Sequence, residues 1–181
     1  ALWNIHMSVR PADGANGRRA EVLMFNSGGT GARPGIDGLS ATAFPSGVHT
    51  MPIEATEHTG PIVIWRKELR PGSGGEGEFR GGLGQIIEIA PLEGYEFDFS
   101  AMFERVNHAA LGRDGGGDGA PGVVKLDDGT AMRPKGWQRV PAGRRLVLEL
   151  PGGGGYGDPA RRDAGAADTD RSRGYLVKDD E

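Results

Sequence analysis

Three glycine clusters divide the chain: "SGGTGARPGIDG" at 27–38, "RPGSGGEGEFRGGLGQ" at 70–85 and "PGGGGYGDP" at 151–159. Each begins where an apolar run ends. Glycine lacks a Cβ, so such segments take up positive φ or let two backbones approach closely. The chain has 33 glycines and 12 prolines in 181 residues, about a quarter of the total, without the three-residue period of collagen. That composition alone would suggest disorder. Because the glycines cluster between apolar runs, they read instead as long, shaped loops on an ordered scaffold.

The scaffold is legible in the period of the apolar residues. In "YEFDFSAMF", Tyr95, Phe97, Phe99, Ala101 and Phe103 share one face, and Glu96, Asp98, Ser100 and Met102 the other. This predicts a half-buried strand with an aromatic inner face. Similar runs occupy Glu21 to Phe25, Ile62 to Leu69, Ile86 to Ala90, Gly122 to Leu126 and Leu146 to Leu150. Asp128-Gly129 and "VPAGRR" mark turns. A helix is expected only near the end, with Asp163 capping "AGAADTDRSR", Asp168–Arg171 and Asp170–Arg173 as i,i+3 pairs, and Gly174 as the stop. The fold class is therefore mainly β (α+β): short antiparallel strands, long glycine-rich loops and a short C-terminal helix. A chain of this length fits one domain over 1–181, with 159–181 as its helix and tail, and can bury roughly 70% of its unfolded surface.

Charge and composition narrow the partners. The net charge is -4 with both signs dispersed, which gives no basic stripe for nucleic acid and no polybasic patch for a membrane surface. The apolar runs are far shorter than the roughly 20 residues that span a bilayer as a helix. There is no cysteine, so disulfides, thiolate metal sites and cysteine nucleophiles are excluded, in keeping with a cytoplasmic location. The sequence opens "ALWNIH", with neither Met nor a leader, which is the expectation for a processed chain or part of a longer one.

The loops carry the candidate chemistry. The 27–38 cluster lacks the lysine and hydroxyl of a phosphate loop and the helix-opening pattern of a dinucleotide loop, and Pro34-Gly35 argues against a helix starting there. It reads as a shaped loop, with no cofactor site in this chain. Arg33, Asp37 and Arg80 project from among glycines. Either they bind a small anionic or amide substrate, or Arg33 and Asp37 pair to hold the loop. In "VHTMPIEATEH", His49, Glu54, Glu57 and His58 are the weak candidates for a metal site; Pro52 breaks a helical register, so they would have to converge from a loop. No serine-nucleophile pattern is present. Trp3, Trp65 and Trp137 read as core or interface anchors, Trp65 in an edge strand or facing a partner.

Taken in order, "GGTGARPGIDGLSATAFPSGVHTMPIEATE", "ELRPGSGGEGEFRGGLGQ" and "ELPGGGGYGDP" resemble the C-terminal part of the hydantoinase B / 5-oxoprolinase family, from about Met24 to Tyr175. The resemblance implies ATP-dependent opening of cyclic amides such as 5-oxoproline or N-methylhydantoin. It also implies partners: the remainder of the B-type chain and an A-type subunit that resembles actin-like ATPases. ATP and a divalent metal are expected in the complete enzyme outside these residues, since the Asn-Asp-Pro segment and the His and Asp residues attributed to the family's metal site are absent here. The run "LGRDGGGDGAPG" at 111–122 departs from the family's shorter turn. Within this reading Arg33, Asp37, Glu54 and Arg80 are the catalytic-site candidates: Arg33 or Arg80 for a carboxylate or carbonyl oxygen, Asp37 or Glu54 as orienting groups. Two alternatives accompany it, a ketone carboxylase of the acetone type in the same family and a structural module without chemistry of its own.

Overall fold

Trp3, Ile5, Met7 and Val9 are each 0% exposed, and their strict alternation fixes the inward face of the first strand. In the computed structural model, which describes residues 1–13, 16–42 and 51–177, eight strands form two antiparallel sheets. They are β1 (Leu2–Pro11), β2 (Ala20–Ser27), β3 (Ile62–Leu69), β4 (Gln85–Pro91), β5 (Tyr95–Met102), β6 (Val123–Leu126), β7 (Lys135–Val140) and β8 (Leu146–Glu149). One sheet has the order β2-β1-β5-β7 and the other β3-β4-β8-β6.

Register places the apolar rows opposite each other. In the first sheet Ile5 pairs with Met24 and Ala101, and Met7 with Val22 and Phe99. In the second, Leu148 pairs with Ile87 and Val124, and Leu146 with Ile89 and Leu126. These side chains form one buried cluster between the sheets, and each fully buried aliphatic or aromatic side chain contributes about 1.5–3 kcal/mol. Trp3 stacks on Phe103 with ring centroids 4.4 Å apart. Its indole N–H donates to the Glu104 carbonyl at 2.8 Å, so the one polar atom of the ring is satisfied.

The strands expected from the sequence are all present, and β1 and β7 extend the set. β3 lies at an edge, and its register shifts between Ile64 and Arg66, which leaves Trp65 on a bulge at 63% exposure. Trp137 on β7 is also exposed, so Trp3 alone of the three tryptophans is a core anchor.

The glycine clusters are not separate loops. They converge on the segment 151–157, whose first five residues are all buried. Gly29 N donates to the Pro151 carbonyl, Ala32 N to Gly154, Gly75 N to Gly153, Gly153 N to Gly82, and Gly155 N to Gly117. The run 111–122 forms one side of this bundle, with Arg113 N donating to Gly155 and Gly152 N to Ala120. A Cβ on Gly153 would fall within the van der Waals envelope of the Thr30 carbonyl, and one on Gly81 within that of Gly153. Close approach, not positive φ, is what these positions require.

Among the described residues, two short α-helices and a 3-10 turn at Pro159–Arg161 accompany the strands. α2 (Ala164–Ser172) is capped by Asp163, which accepts from Ala166 N at 2.9 Å, and is followed by Gly174 at φ 67. Asp168 pairs with Arg171 as expected, but Asp170 turns inward, away from Arg173, and is 4% exposed. α1 (Ile53–Glu57) corrects the expectation of a loop after Pro52. Pro52 stands at the N-cap, where it breaks no internal hydrogen bond, and its carbonyl accepts from Thr56 N and Oγ1.

Gly153→Ala is expected to lower stability by about 3 kcal/mol or more, or to prevent folding, because backbone on both sides must move. Gly129→Ala, at φ 86 with open space around it, should cost only about 1 kcal/mol. Urea unfolding of both variants checks this, and equal losses would contradict the close-packed bundle.

Candidate functional site

Where the 27–38 and 151–157 segments meet the start of β1 and the end of β5, a cavity of about 570 Å³ opens. Its backbone lining includes Gly29, Gly31, Gly152 and Gly153, and its ionisable side chains are those of Arg33, Asp37, Glu104 and Arg105. The volume lies in the range of small-molecule sites. Glycine lets a ligand meet bare backbone here; Arg33, Glu104 and Arg105 are exposed and Asp37 is half-buried.

Arg33 is exposed at the start of a tight turn, closed by Arg33 N to Ile36 O at 3.2 Å and Ile36 N to Arg33 O at 3.1 Å. It has no ion-pair partner among the described residues. The anticipated Arg33–Asp37 pair does not form. Asp37 is held by Arg162, with Nη1–Oδ1 at 3.0 Å and Nη2–Oδ2 at 2.9 Å, and it accepts the Arg80 backbone N–H at 2.8 Å. Burial pushes the Asp37 carboxyl up, but the Arg162 and Arg80 hydrogen bonds and charges outweigh this and hold it below the usual carboxylate range.

Arg80 does not line this cavity. It is 7% exposed, its Nη1 donates to the Gly81 carbonyl at 2.6 Å, its Nε lies 3.2 Å from Asp170 Oδ2, and its guanidinium covers the Tyr175 ring at 5.2 Å. Asp170 also accepts from Arg162 Nη2 at 2.6 Å. Two arginines and two aspartates thus form a chain, Arg80–Asp170–Arg162–Asp37, that fastens α2 to the glycine bundle. Each charge has a partner of opposite sign, as burial demands.

The remaining candidates lie elsewhere. Glu54 is exposed on α1, and α1 packs on β3, away from the cavity lining. Glu57 accepts the Ile64 backbone N–H at 2.7 Å, which ties α1 to β3. His58 is exposed at the C-cap of α1, and His49 lies outside the described residues. No group of three or more His, Asp or Glu converges as metal ligands among the described residues.

Sequence reasoning did not single out Thr30, Glu104 or Arg105. Thr30 Oγ1 accepts from Leu39 N at 2.7 Å, bracing the turn. Arg105 has φ 60, a strained conformation for a non-glycine residue, and its Nη1 donates to the Ala109 carbonyl at 3.1 Å. The 27–38 loop offers no run of successive free N–H groups of the kind that cradles a phosphate. Its donors at Gly28, Gly29, Thr30, Ala32, Arg33 and Gly38 already bond protein carbonyls.

The sequence profile of the family described as Hydantoinase B/oxoprolinase matches residues 1–159. The B-type polypeptide of a putative D-/L-hydantoinase from Pseudomonas sp. (strain NS671) is 31% identical over 159 residues, 84% of this chain and 26% of that protein. The crystal structure of the ATP-dependent caprolactamase from Pseudomonas jessenii superimposes with a TM-score of 0.76 at 26% identity, over 96% of this chain and 32% of that one. A nucleotide-free acetone carboxylase superimposes with a TM-score of 0.68 at 17% identity, over 98% of this chain and 28% of that one, which is a likeness of fold alone. The chain spans 12%, 26% and 11% of the length of three curated relatives it matches. No described helix is long and apolar enough to cross a membrane.

The depressed Asp37 pKa sets a pH dependence. A carboxyl lower in the folded than in the unfolded state, where it titrates near about 3.9, stabilises the fold above that value and stops doing so as pH falls through the folded value. Asp37→Asn should therefore lower the unfolding midpoint at pH 7 and flatten its decline below about pH 4. Thermal unfolding at a series of pH values measures both effects.

Proposed function

The chain belongs to the hydantoinase B/oxoprolinase family, and on that premise we propose that it is part of an ATP-dependent cyclic-amide hydrolase and shapes its substrate groove. The observation that carries the reading is the agreement of sequence and fold over almost the whole chain with the ATP-dependent caprolactamase. The groove beside Arg33 supports it chemically. A cyclic amide offers a carbonyl acceptor and an N–H donor. Arg33 and Arg105 supply donors for the former, and for any substrate carboxylate; Glu104 supplies an acceptor for the latter. Asp37 and Arg80 act behind them, by fixing the turn that presents Arg33.

The chain spans only part of its relatives, so the complete activity belongs to an assembly. We assign ATP to an A-type subunit, because the 27–38 loop opens no helix and its amides at Gly28, Gly29, Thr30, Ala32, Arg33, Ile36 and Gly38 bond protein carbonyls. A divalent metal is assigned to the remainder of the B-type polypeptide. A chain of 181 residues without cysteine is in keeping with a cytoplasmic location for the assembly. The acetone carboxylase likeness is weaker in sequence than the caprolactamase one, which favours amide hydrolysis over ketone carboxylation.

The complete assembly, supplied with ATP and either 5-oxoproline or ε-caprolactam, should open the ring and form ADP. Product only from acetone with bicarbonate would replace hydrolase with carboxylase. Arg33→Ala should lower kcat/KM at least about tenfold, equivalent to about 1.4 kcal/mol of transition-state stabilisation, with little change in unfolding temperature. Unchanged turnover in both Arg33→Ala and Arg105→Ala would leave the chain a purely structural role.

A further inference from the structure

The family profile ends at residue 159, yet the side chain that grips Asp37 lies beyond it. We infer that Arg162 is a positioning residue: it holds the Arg33–Leu39 turn in place from the C-terminal segment, and through that turn it sets the affinity of the groove for substrate. The second half rests on the reading of the groove given above; the first half does not.

The turn has two kinds of support. On the bundle side, Gly38 N donates to the Arg80 carbonyl at 2.7 Å and Thr30 N to the Leu39 carbonyl at 2.9 Å. On the other side stands α2, and packing does not bridge the gap. A second cavity of about 520 Å³ lies between Ile36–Ser40 and α2, lined on the helix by Ala166, Thr169 and Asp170. Asp170 is the one buried residue of α2, with Ala166 and Ala167 half-buried, so the helix is attached mainly by charge and hydrogen bonding. Two arginines cross the gap: Arg80, whose backbone N–H donates to Asp37 Oδ1 at 2.8 Å and whose Nε lies 3.2 Å from Asp170 Oδ2, and Arg162, whose two terminal nitrogens meet both Asp37 oxygens, with further bonds to Asp170 Oδ2 at 2.6 Å and the Glu78 carbonyl at 3.2 Å. A planar guanidinium makes this set of bonds; an ammonium does not. Asp37 lines both cavities, so a shift of its carboxylate is a shift of the groove wall that carries Arg33.

Amide hydrogen exchange on the full chain tests the first half, with Arg162→Lys and Arg162→Gln compared with the unaltered protein. Asp37→Asn breaks the same contact from the other side should either variant fail to fold. The Gly38 and Leu39 amides should exchange at least fivefold faster in both Arg162 variants, with Ile87 and Ile89 in β4 unchanged. Unaltered exchange at Gly38 and Leu39, or full restoration by lysine, overturns the inference. In the complete assembly, KM for whichever of 5-oxoproline and ε-caprolactam is turned over should rise at least threefold, with kcat within twofold. Faster exchange with an unchanged KM would overturn the link to substrate. Absence of turnover in the unaltered assembly would remove the reading of the groove, and the exchange result would still decide whether Arg162 holds the turn.

Discussion

The structure depends on one close approach: the backbone of 151–157 runs buried against three other glycine-rich segments, at distances that leave no room for a Cβ. A buried backbone must find hydrogen-bond partners, since an unpaired amide in the interior costs about as much as a lost hydrogen bond. The segment finds them in its neighbours, through bonds such as Gly155 N to Gly117 and Tyr156 N to Phe79. Glycine makes the approach sterically possible, and the approach satisfies the backbone. Neither holds without the other.

The rest of the molecule is arranged around that bundle. β8 leads directly into it, so the apolar row Leu146, Leu148 and Leu150, each 0% exposed, anchors one end of the segment in the core between the sheets. Gln85, at the start of β4, donates from Nε2 to the Ser27 carbonyl at 2.9 Å and joins the two sheets where the bundle begins. At the far side the C-terminal helix is fastened to the bundle by the ion pairs of Asp170 with Arg80 and Arg162. The groove opens between these two regimes, with bare backbone on one side and a charge-held turn on the other.

Much of this was legible in the sequence. Strands with clean alternation, such as Tyr95 to Phe103, declare their inward face because period two allows no other register. β1 escapes notice despite its clean alternation of Trp3, Ile5, Met7 and Val9, and β7 does so because "KGWQRV" mixes charge with a glycine at φ 86 and lies at a sheet edge. The glycine clusters announce themselves, but their mutual pairing does not: Ala32 bonds Gly154 across the length of the chain, and no spacing rule links such positions. Asp37 stood out as an acid among glycines, whereas its partner Arg162 lies 125 residues away. The nearer Arg33 was the natural guess, since local pairing is all that spacing can suggest. Arg105 carries no motif; its position in the groove follows from a strained turn after β5, which only three-dimensional structure reveals. The family likeness was legible because three glycine segments recur in order, a consequence of the same packing constraint.

We propose that the groove formed by these segments receives a cyclic amide while the nucleotide binds another polypeptide. The decisive experiment is a structure of the complete assembly with a bound lactam and a non-hydrolysable ATP analogue. The lactam should lie within hydrogen-bond distance of Arg33 or Arg105, with the nucleotide on an A-type subunit. A lactam bound elsewhere, with the groove filled by another part of the assembly, would contradict it.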